Sequence, residues 1–354
     1  MAKQKRYYDI SNMLKTDAEY MMLLGQRANG KSYQAKLTAL TNAYENNRRF
    51  VYMRRWDNHV KAKDVVNYFE DMKISEITKG SWTGIYAYKG EIFFTVSDEE
   101  SGKQMKSEPI GYYVALNMSE ANKSKVFLNV DYIIFEEFIT DKAYLYDEPR
   151  QLQHMVSTIA RNNRCRVIMV GNTLSRVCPY FNEWCLEGVL RQKIGTIEVY
   201  HFHVSDDETV DIAVEYCENS VKENKMFFGQ AAKQIVSGEW DTYDANKLPR
   251  TQLEYDLVYE IELSFQAFTF VLQLLVEPKD GGTIIFIYPK TKKRKIYRKI
   301  SDTFSDLPNV TRCLDPRIKP EAVMRDLFRL DKVCYSDNLT ASDFKHVNEV
   351  MKIF

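Results

Sequence analysis

The chain has 354 residues, enough for two domains at roughly 150 residues each. Its 45% hydrophobic, 13% aromatic and 28% charged residues are an ordinary globular mixture, which excludes disordered, collagenous and fibrous classes. Lysine plus arginine matches aspartate plus glutamate, 49 against 49, so total charge selects no polyionic partner and only local clusters can do so.

The opening residues, MAKQKRYYD, carry neither an apolar core nor a small-residue cleavage site, and the longest apolar runs, such as Phe270 to Val276, are far shorter than the roughly 20 residues of a membrane span. A cytosolic protein without membrane contact is expected. Six cysteines (Cys165, Cys178, Cys185, Cys217, Cys313 and Cys334) include no C-x-x-C pair and are expected to be reduced thiols.

From about residue 18 to 205, short apolar runs alternate with helical stripes, the pattern of parallel strands joined by crossover helices. Tyr20 to Leu24 has strand length, and Tyr33, Leu37, Leu40 and Tyr44 then mark one helix face. Phe50 to Met53 predicts the next strand, and Val65, Val66, Phe69 and Met72 another helix. Thr83 to Val96, with Lys89-Gly90 between two alternating runs, predicts an inserted hairpin. Val130 to Phe135 and Val167 to Val170 predict buried strands, with a helix over Leu152, Met155, Val156 and Ile159 between them. The expected organisation is an α/β domain over 1–205 with a mainly parallel sheet, then a linker or small helical subdomain over 206–250, holding one helix from Val221 to Val236. An α+β domain is expected over 251–354, where Phe268 to Val276 and Thr283 to Tyr288 form a hairpin. Two helices follow there, one on Val323, Leu327 and Leu330 and one opened by a capping box of Thr340 and Asp343.

Gly25-Gln26-Arg27-Ala28-Asn29-Gly30-Lys31-Ser32 matches G-x-x-x-x-G-K-[ST] between a strand and a helix. In that motif the glycines let successive N–H groups face phosphates, the lysine reaches the β- and γ-oxygens, and the serine ligates Mg²⁺. ATP and Mg²⁺ are the ligands expected. The partner element is an apolar strand ending in acids, here Tyr132-Ile-Ile-Phe135-Glu136-Glu137. Glu136 is assigned to the metal shell and Glu137 to polarising the attacking water, which makes this the ASCE type of P-loop NTPase. Asn172, at the end of the strand Val167 to Val170, is a candidate γ-phosphate sensor, and Arg161 or Arg164 a candidate arginine finger for a neighbouring subunit. Lys290 to Lys299 holds seven basic residues in ten with no acid, so Lys292, Lys293, Arg294 and Lys295 are candidate nucleic-acid contacts, with Lys123 and Lys125 a second set.

Together, the phosphate loop with Arg27, the Phe50-Val-Tyr-Met-Arg54-Arg55-Trp56 strand, Asn129 to Ile139, and Arg161 followed by the strand ending at Asn172 and by Pro179-Tyr-Phe181 resemble the φ29-type DNA-packaging ATPases of small tailed phages over about residues 18 to 185. The resemblance implies a homomeric ring, pentameric in that family, at the portal vertex of the prohead in the host cytoplasm, translocating double-stranded DNA at the expense of ATP, with a structural prohead RNA as a further partner. It implies a trans-acting finger at Arg161, with Arg164 retained because one residue must be deleted to align them. It also implies an RNase H-like C-terminal domain. A two-metal nuclease needs clustered carboxylates beginning inside its first strand. Phe268 to Val276 has none, and Glu277, Asp331 and Asp337 carry no ligand signature, so no nuclease activity is expected. Glu136 departs from the family's Asp. Two other readings stay open on the sequence: a helicase or remodelling ATPase, and a nucleotide-regulated binding module.

Overall fold

Tyr20–Leu24 (β1) contains no charged residue and is buried at every position, as a strand with parallel neighbours on both sides requires. The computed structural model describes residues 8–97, 104–161, 164–205, 208–218, 240, 244–291 and 294–354. The chain divides into two compact units, Met1–Leu174 with Gly188–Glu239, and Ser175–Glu187 with Trp240–Phe354.

The first unit is built on a nine-stranded sheet in the order β3-β4-β5-β2-β6-β7-β1-β9-β8. Its strands are β2 (Arg49–Arg54), β3 (Gly84–Tyr88), β4 (Glu91–Ser97), β5 (Gln104–Ala115), β6 (Val130–Glu136), β7 (Arg166–Val170), β8 (Ile197–His203) and β9 (Thr209–Tyr216). The six strands from β5 to β9 in that order are parallel, and antiparallel strands close both edges. Helix Lys31–Glu45 turns Ala35, Ala39 and Leu40 into a core shared with Met21, Leu23, Phe50, Tyr52, Phe69 and Ile134. The carboxyl ends of β1, β2, β6 and β7 therefore lie along one edge, where ligands bind in open parallel sheets.

The second unit has a six-stranded sheet in the order β14-β13-β10-β11-β12-β15. β10 (Asp256–Phe265), β11 (Phe268–Val276) and β12 (Thr283–Pro289) form an antiparallel meander. β13 (Lys299–Ser301) runs parallel to β10, β14 (Val310–Thr311) parallel to β13, and β15 (Val333–Tyr335) parallel to β12. Phe344 of helix Asn338–Met351 packs edge-on against Phe270 at 5.6 Å between centroids and against Phe328 of helix Lys319–Arg329 at 6.4 Å.

Several expectations are corrected. Within the stretch expected as a linker or small subdomain, the described Thr209–Tyr216 is the strand beside β1, and Asn246 accepts a backbone hydrogen bond from Tyr335 in the second unit. The helix expected from Val221 to Val236 lies outside the described residues. The hairpin at Lys89-Gly90 is present, but it continues into β5 and extends the main sheet instead of decorating it. The first strand of the second sheet is β10, ahead of the hairpin read from the sequence. The last helix starts at Asn338, capped by Asp337, which accepts from the Thr340 amide at 2.8 Å; Asp343 is instead buried and ion-paired with Arg176 at 2.9 Å. All six cysteines are free thiols.

Candidate functional site

After β1 the chain turns at Gly25, whose φ of 142° and whose Cβ position, 3.2 Å from the Cys217 carbonyl oxygen, admit only glycine. Ala28 (φ 60°) and Gly30 (φ 99°) are left-handed, and the chain then enters the helix at Lys31. Such a turn faces consecutive N–H groups inward and puts a helix N-terminus behind them, an arrangement suited to a polyphosphate. Lys31 is 3% exposed; its Nζ donates to the Gln26 carbonyl at 2.6 Å and to Asn29 Oδ1 at 3.1 Å. Both acceptors are neutral, and burial lowers the pKa of this ammonium to about 8. A buried cation held only by neutral oxygens favours an anion beside it. Arg27, in the same loop, is exposed and does not line the cleft.

Glu136 ends β6 and is 5% exposed. Its Oε2 accepts from the Ser32 hydroxyl at 3.2 Å and its Oε1 from the Tyr68 hydroxyl at 2.6 Å. Burial pushes the Glu136 pKa up. Glu137 follows in a left-handed conformation (φ 58°), which turns the chain out of the strand, and its Oε2 accepts from Arg54 Nη2 at 2.5 Å. Arg55 fixes the same turn from behind. It donates to the Glu137 carbonyl at 3.0 Å and the Phe138 carbonyl at 2.7 Å, and forks onto the fully buried Glu148 at 2.7 and 3.0 Å. At the end of β7, the Gly171 amide donates to Leu23 and the Thr173 amide to Gly25, which sets Asn172 at the cleft.

Ser32, Lys31, Glu136, Glu137 and Asn172 thus line one cleft of about 650 Å³. The oxygens in it suit magnesium, which takes one or two protein oxygens and completes its shell with phosphate and water. A Ser32 hydroxyl beside the Glu136 carboxylate supplies that minimal set. The other Glu136 oxygen is held by the Tyr68 hydroxyl, which the sequence alone does not single out. Lys36 and Asp71, ion-paired with each other at the cleft, were missed as well. No local pattern marks them, because the partners are separated by 35 and 68 residues in the chain.

Arg161 and Arg164 lie at the amino end of β7, the opposite edge of the sheet from the cleft. A five-residue strand at about 3.3 Å per residue separates them from Asn172, so neither reaches its own subunit's cleft. Arg164 is committed locally, to Asp17 Oδ2 and Glu19 Oε1, each at 2.9 Å. Arg161 makes one long contact, to the Lys123 carbonyl at 3.3 Å.

The candidate nucleic-acid contacts are less free than the sequence suggests. Arg294 is ion-paired with Glu260, Lys290 and Lys299 with Glu262, and Arg298 with Glu321, all acids brought in from elsewhere in the second unit. Lys295 makes no ion pair among the described residues, and Lys292 and Lys293 lie outside them. Lys125 is half-buried over the rings of Tyr112 and Phe127, each 5.3 Å away, and burial lowers its pKa; Lys123 pairs with Glu120 at 2.5 Å. Glu277 pairs with Arg250 and Asp337 caps a helix, so these two acids have structural partners. The first strand of that sheet, β10, opens with Asp256 and carries Glu260 and Glu262 in its interior, acids that Phe268 to Val276 lacks.

A family model described as Podovirus DNA encapsidation protein (Gp16) matches residues 1–236. The DNA packaging protein of Bacillus phage phi29 is 27% identical over 237 residues, covering 66% of this chain and 64% of that protein. That of Bacillus phage B103 is 27% identical over 175 residues, covering 48% and 49%. The chain therefore matches slightly under two thirds of the length of the first of these relatives. Among solved structures, the bacteriophage Phi-29 viral genome packaging motor assembly is similar over 98% of this chain and 99% of that one, with a TM-score of 0.56 and 20% identity. The Phi-28 gp11 DNA packaging motor is similar over 99% of each chain, with a TM-score of 0.51 and 15% identity. At these identities the likeness is one of fold.

Proposed function

The chain belongs to the podovirus DNA encapsidation protein family, and from that premise we propose that it is an ATP-hydrolysing motor subunit that translocates double-stranded viral DNA into a prohead. The observation that carries the reading is the convergence of Lys31, Ser32, Glu136 and Glu137 on a single cleft at the carboxyl ends of β1 and β6. Lys31 and the loop amides hold the triphosphate, Ser32 and Glu136 hold Mg²⁺, and Glu137 orients and deprotonates the attacking water. Magnesium, when bound, neutralises charge on the β- and γ-phosphoryl oxygens. Asn172 senses the γ-phosphate at the far wall. Charge stabilisation is completed by an arginine from a neighbouring subunit, and Arg161 is the better candidate because Arg164 is already held by two carboxylates.

The working form is a homomeric ring, a pentamer by resemblance, docked on the portal of the prohead in the host cytoplasm and in contact with a structural prohead RNA. The second unit is RNase H-like; what supports this is its strand order, which from β12 through β11, β10 and β13 to β14 is third-second-first-fourth-fifth with the first three antiparallel. It is not a nuclease in this reading, since Glu262, the buried acid of its first strand, is neutralised by Lys290 and Lys299.

The test is steady-state ATP hydrolysis by the wild type and by Glu137→Gln, with and without duplex DNA and proheads. The motor reading expects turnover stimulated by duplex DNA and proheads, lost by about 10²-fold or more in the variant while ATP binding persists. Stimulation by single strands instead would indicate a helicase. ATP-modulated DNA affinity without turnover on proheads would indicate a binding module.

A further inference from the structure

Glu136 is one C–C bond, about 1.5 Å, longer than the aspartate that the short reach from strand end to metal shell ordinarily uses. A flexible, longer carboxylate at that place needs a second restraint, and one is present. Tyr68, at the end of helix Ala62–Tyr68, donates its hydroxyl to Glu136 Oε1 at 2.6 Å, which leaves Oε2 at the Ser32 hydroxyl. Tyr68 is itself held by Tyr52 and Lys36. Its ring stacks on that of the buried Tyr52 at 4.2 Å between centroids. Lys36 Nζ sits 4.7 Å from the ring centroid, donates to the Tyr68 carbonyl at 2.8 Å, and is anchored in turn by Asp71. Lys36 belongs to the helix that begins at the phosphate loop. The tyrosine is therefore referenced to the same element that carries Ser32.

We propose that Tyr68 is a positioning residue for the magnesium site: it draws back one oxygen of Glu136, so that a glutamate can present its other oxygen at the Ser32 hydroxyl where an aspartate would do so unaided. The proposal rests on the nucleotide and metal assignment made above. Outer partners of metal-binding groups change metal affinity by about 10- to 100-fold when removed. Tyr68→Phe removes only the hydroxyl, keeping the ring and its stacking. It leaves Glu136 Oε1 buried without its donor and the carboxylate free to turn.

The experiment is binding of a fluorescent ATP analogue to the full chain, titrated with Mg²⁺, for the wild type, Tyr68→Phe, Glu136→Asp and the double variant, with thermal unfolding as a fold check. Tyr68→Phe is expected to raise the Mg²⁺ concentration for half-maximal tightening about tenfold, with affinity in the absence of Mg²⁺ unchanged. In the Glu136→Asp background, whose shorter carboxylate does not reach the hydroxyl, the same change is expected to have no effect. Wild-type Mg²⁺ dependence in Tyr68→Phe overturns the proposal, and so does an equal loss in both backgrounds, which would mark a purely structural tyrosine. No ATP binding by the wild type, with or without Mg²⁺, would overturn the nucleotide assignment and this proposal with it.

Discussion

Arg54, at the end of β2, and Glu137, directly after β6, are joined by a 2.5 Å ion pair whose guanidinium is largely buried and whose carboxylate is open to the cleft. The pair engages one Glu137 oxygen and so fixes the direction in which the carboxylate faces. Removing the guanidinium frees both oxygens, so Arg54→Ala is expected to raise ATP turnover in the absence of DNA severalfold and to blunt any stimulation by DNA. Steady-state hydrolysis with and without duplex DNA measures this. Unchanged basal turnover would mean that the pair does not restrain Glu137.

Arg55, the neighbouring arginine, has a structural task. Its fork on Glu148 lies in the interior, with Glu148 fully buried. Arg55→Ala removes the ion-pair partner of that carboxylate, though not the Leu145 amide that also donates to it, and is expected to destabilise the first unit by about 3 to 5 kcal/mol. Replacing both residues by apolar side chains of similar volume is expected to cost much less, because it also removes the charge that needs a partner. Chemical denaturation of the two variants tests the difference.

The Lys31 ammonium, depressed to about 8 by burial, predicts a pH dependence of ligand binding. Below that pH the free chain already carries the charge that meets the phosphates. Above it the neutral amine must take up a proton when the nucleotide binds, so ATP affinity is expected to fall as pH rises through about 8. Calorimetry at pH 8.5 in buffers of different ionisation enthalpy is expected to show proton uptake that vanishes near pH 6.5.

The two arginines at the other edge of the sheet are expected to separate cleanly. Arg161→Ala should leave thermal stability unchanged and lower turnover of the assembled protein by about 10³-fold or more if it acts in trans. Arg164→Ala breaks exposed, solvent-screened ion pairs to Asp17 and Glu19, so it should change stability little and leave turnover intact. Mixing Arg161→Ala with Glu137→Gln subunits distinguishes a trans role, since mixed interfaces that join an intact arginine to an intact glutamate recover activity.

Where chemistry is local, the sequence is a sufficient guide. β1 and the loop after it follow from five apolar residues and the G-x-x-x-x-G-K-S spacing, and the two acids after β6 stand where the apolar run stops. β9 was concealed because Asp211 and Glu215 give it the polarity of a linker; one takes His201 as partner and the other the Tyr8 hydroxyl. β10 alternates Glu260, Ile261, Glu262 and Leu263 as a strand should, yet its acids make sense only beside Lys290, Arg294 and Lys299, some 30 residues on. A separation of 68 residues likewise hid the Tyr68 tether, and the remoteness of its acids made the basic run look free.

β1 is bonded in parallel register to β7 on one side and β9 on the other, and the Cys217 amide extends the second ladder to Leu24, one residue short of the phosphate loop. Evenly spaced parallel bonds on both flanks have a mechanical consequence. A pull on the loop along the strand axis loads both ladders in shear, so that many bonds must yield together instead of opening one at a time. The phosphate loop is thus mounted on a strand gripped along both flanks, as β2, β6 and β7 also are, so that a load on the loop is shared with the neighbouring strands before it can distort the loop.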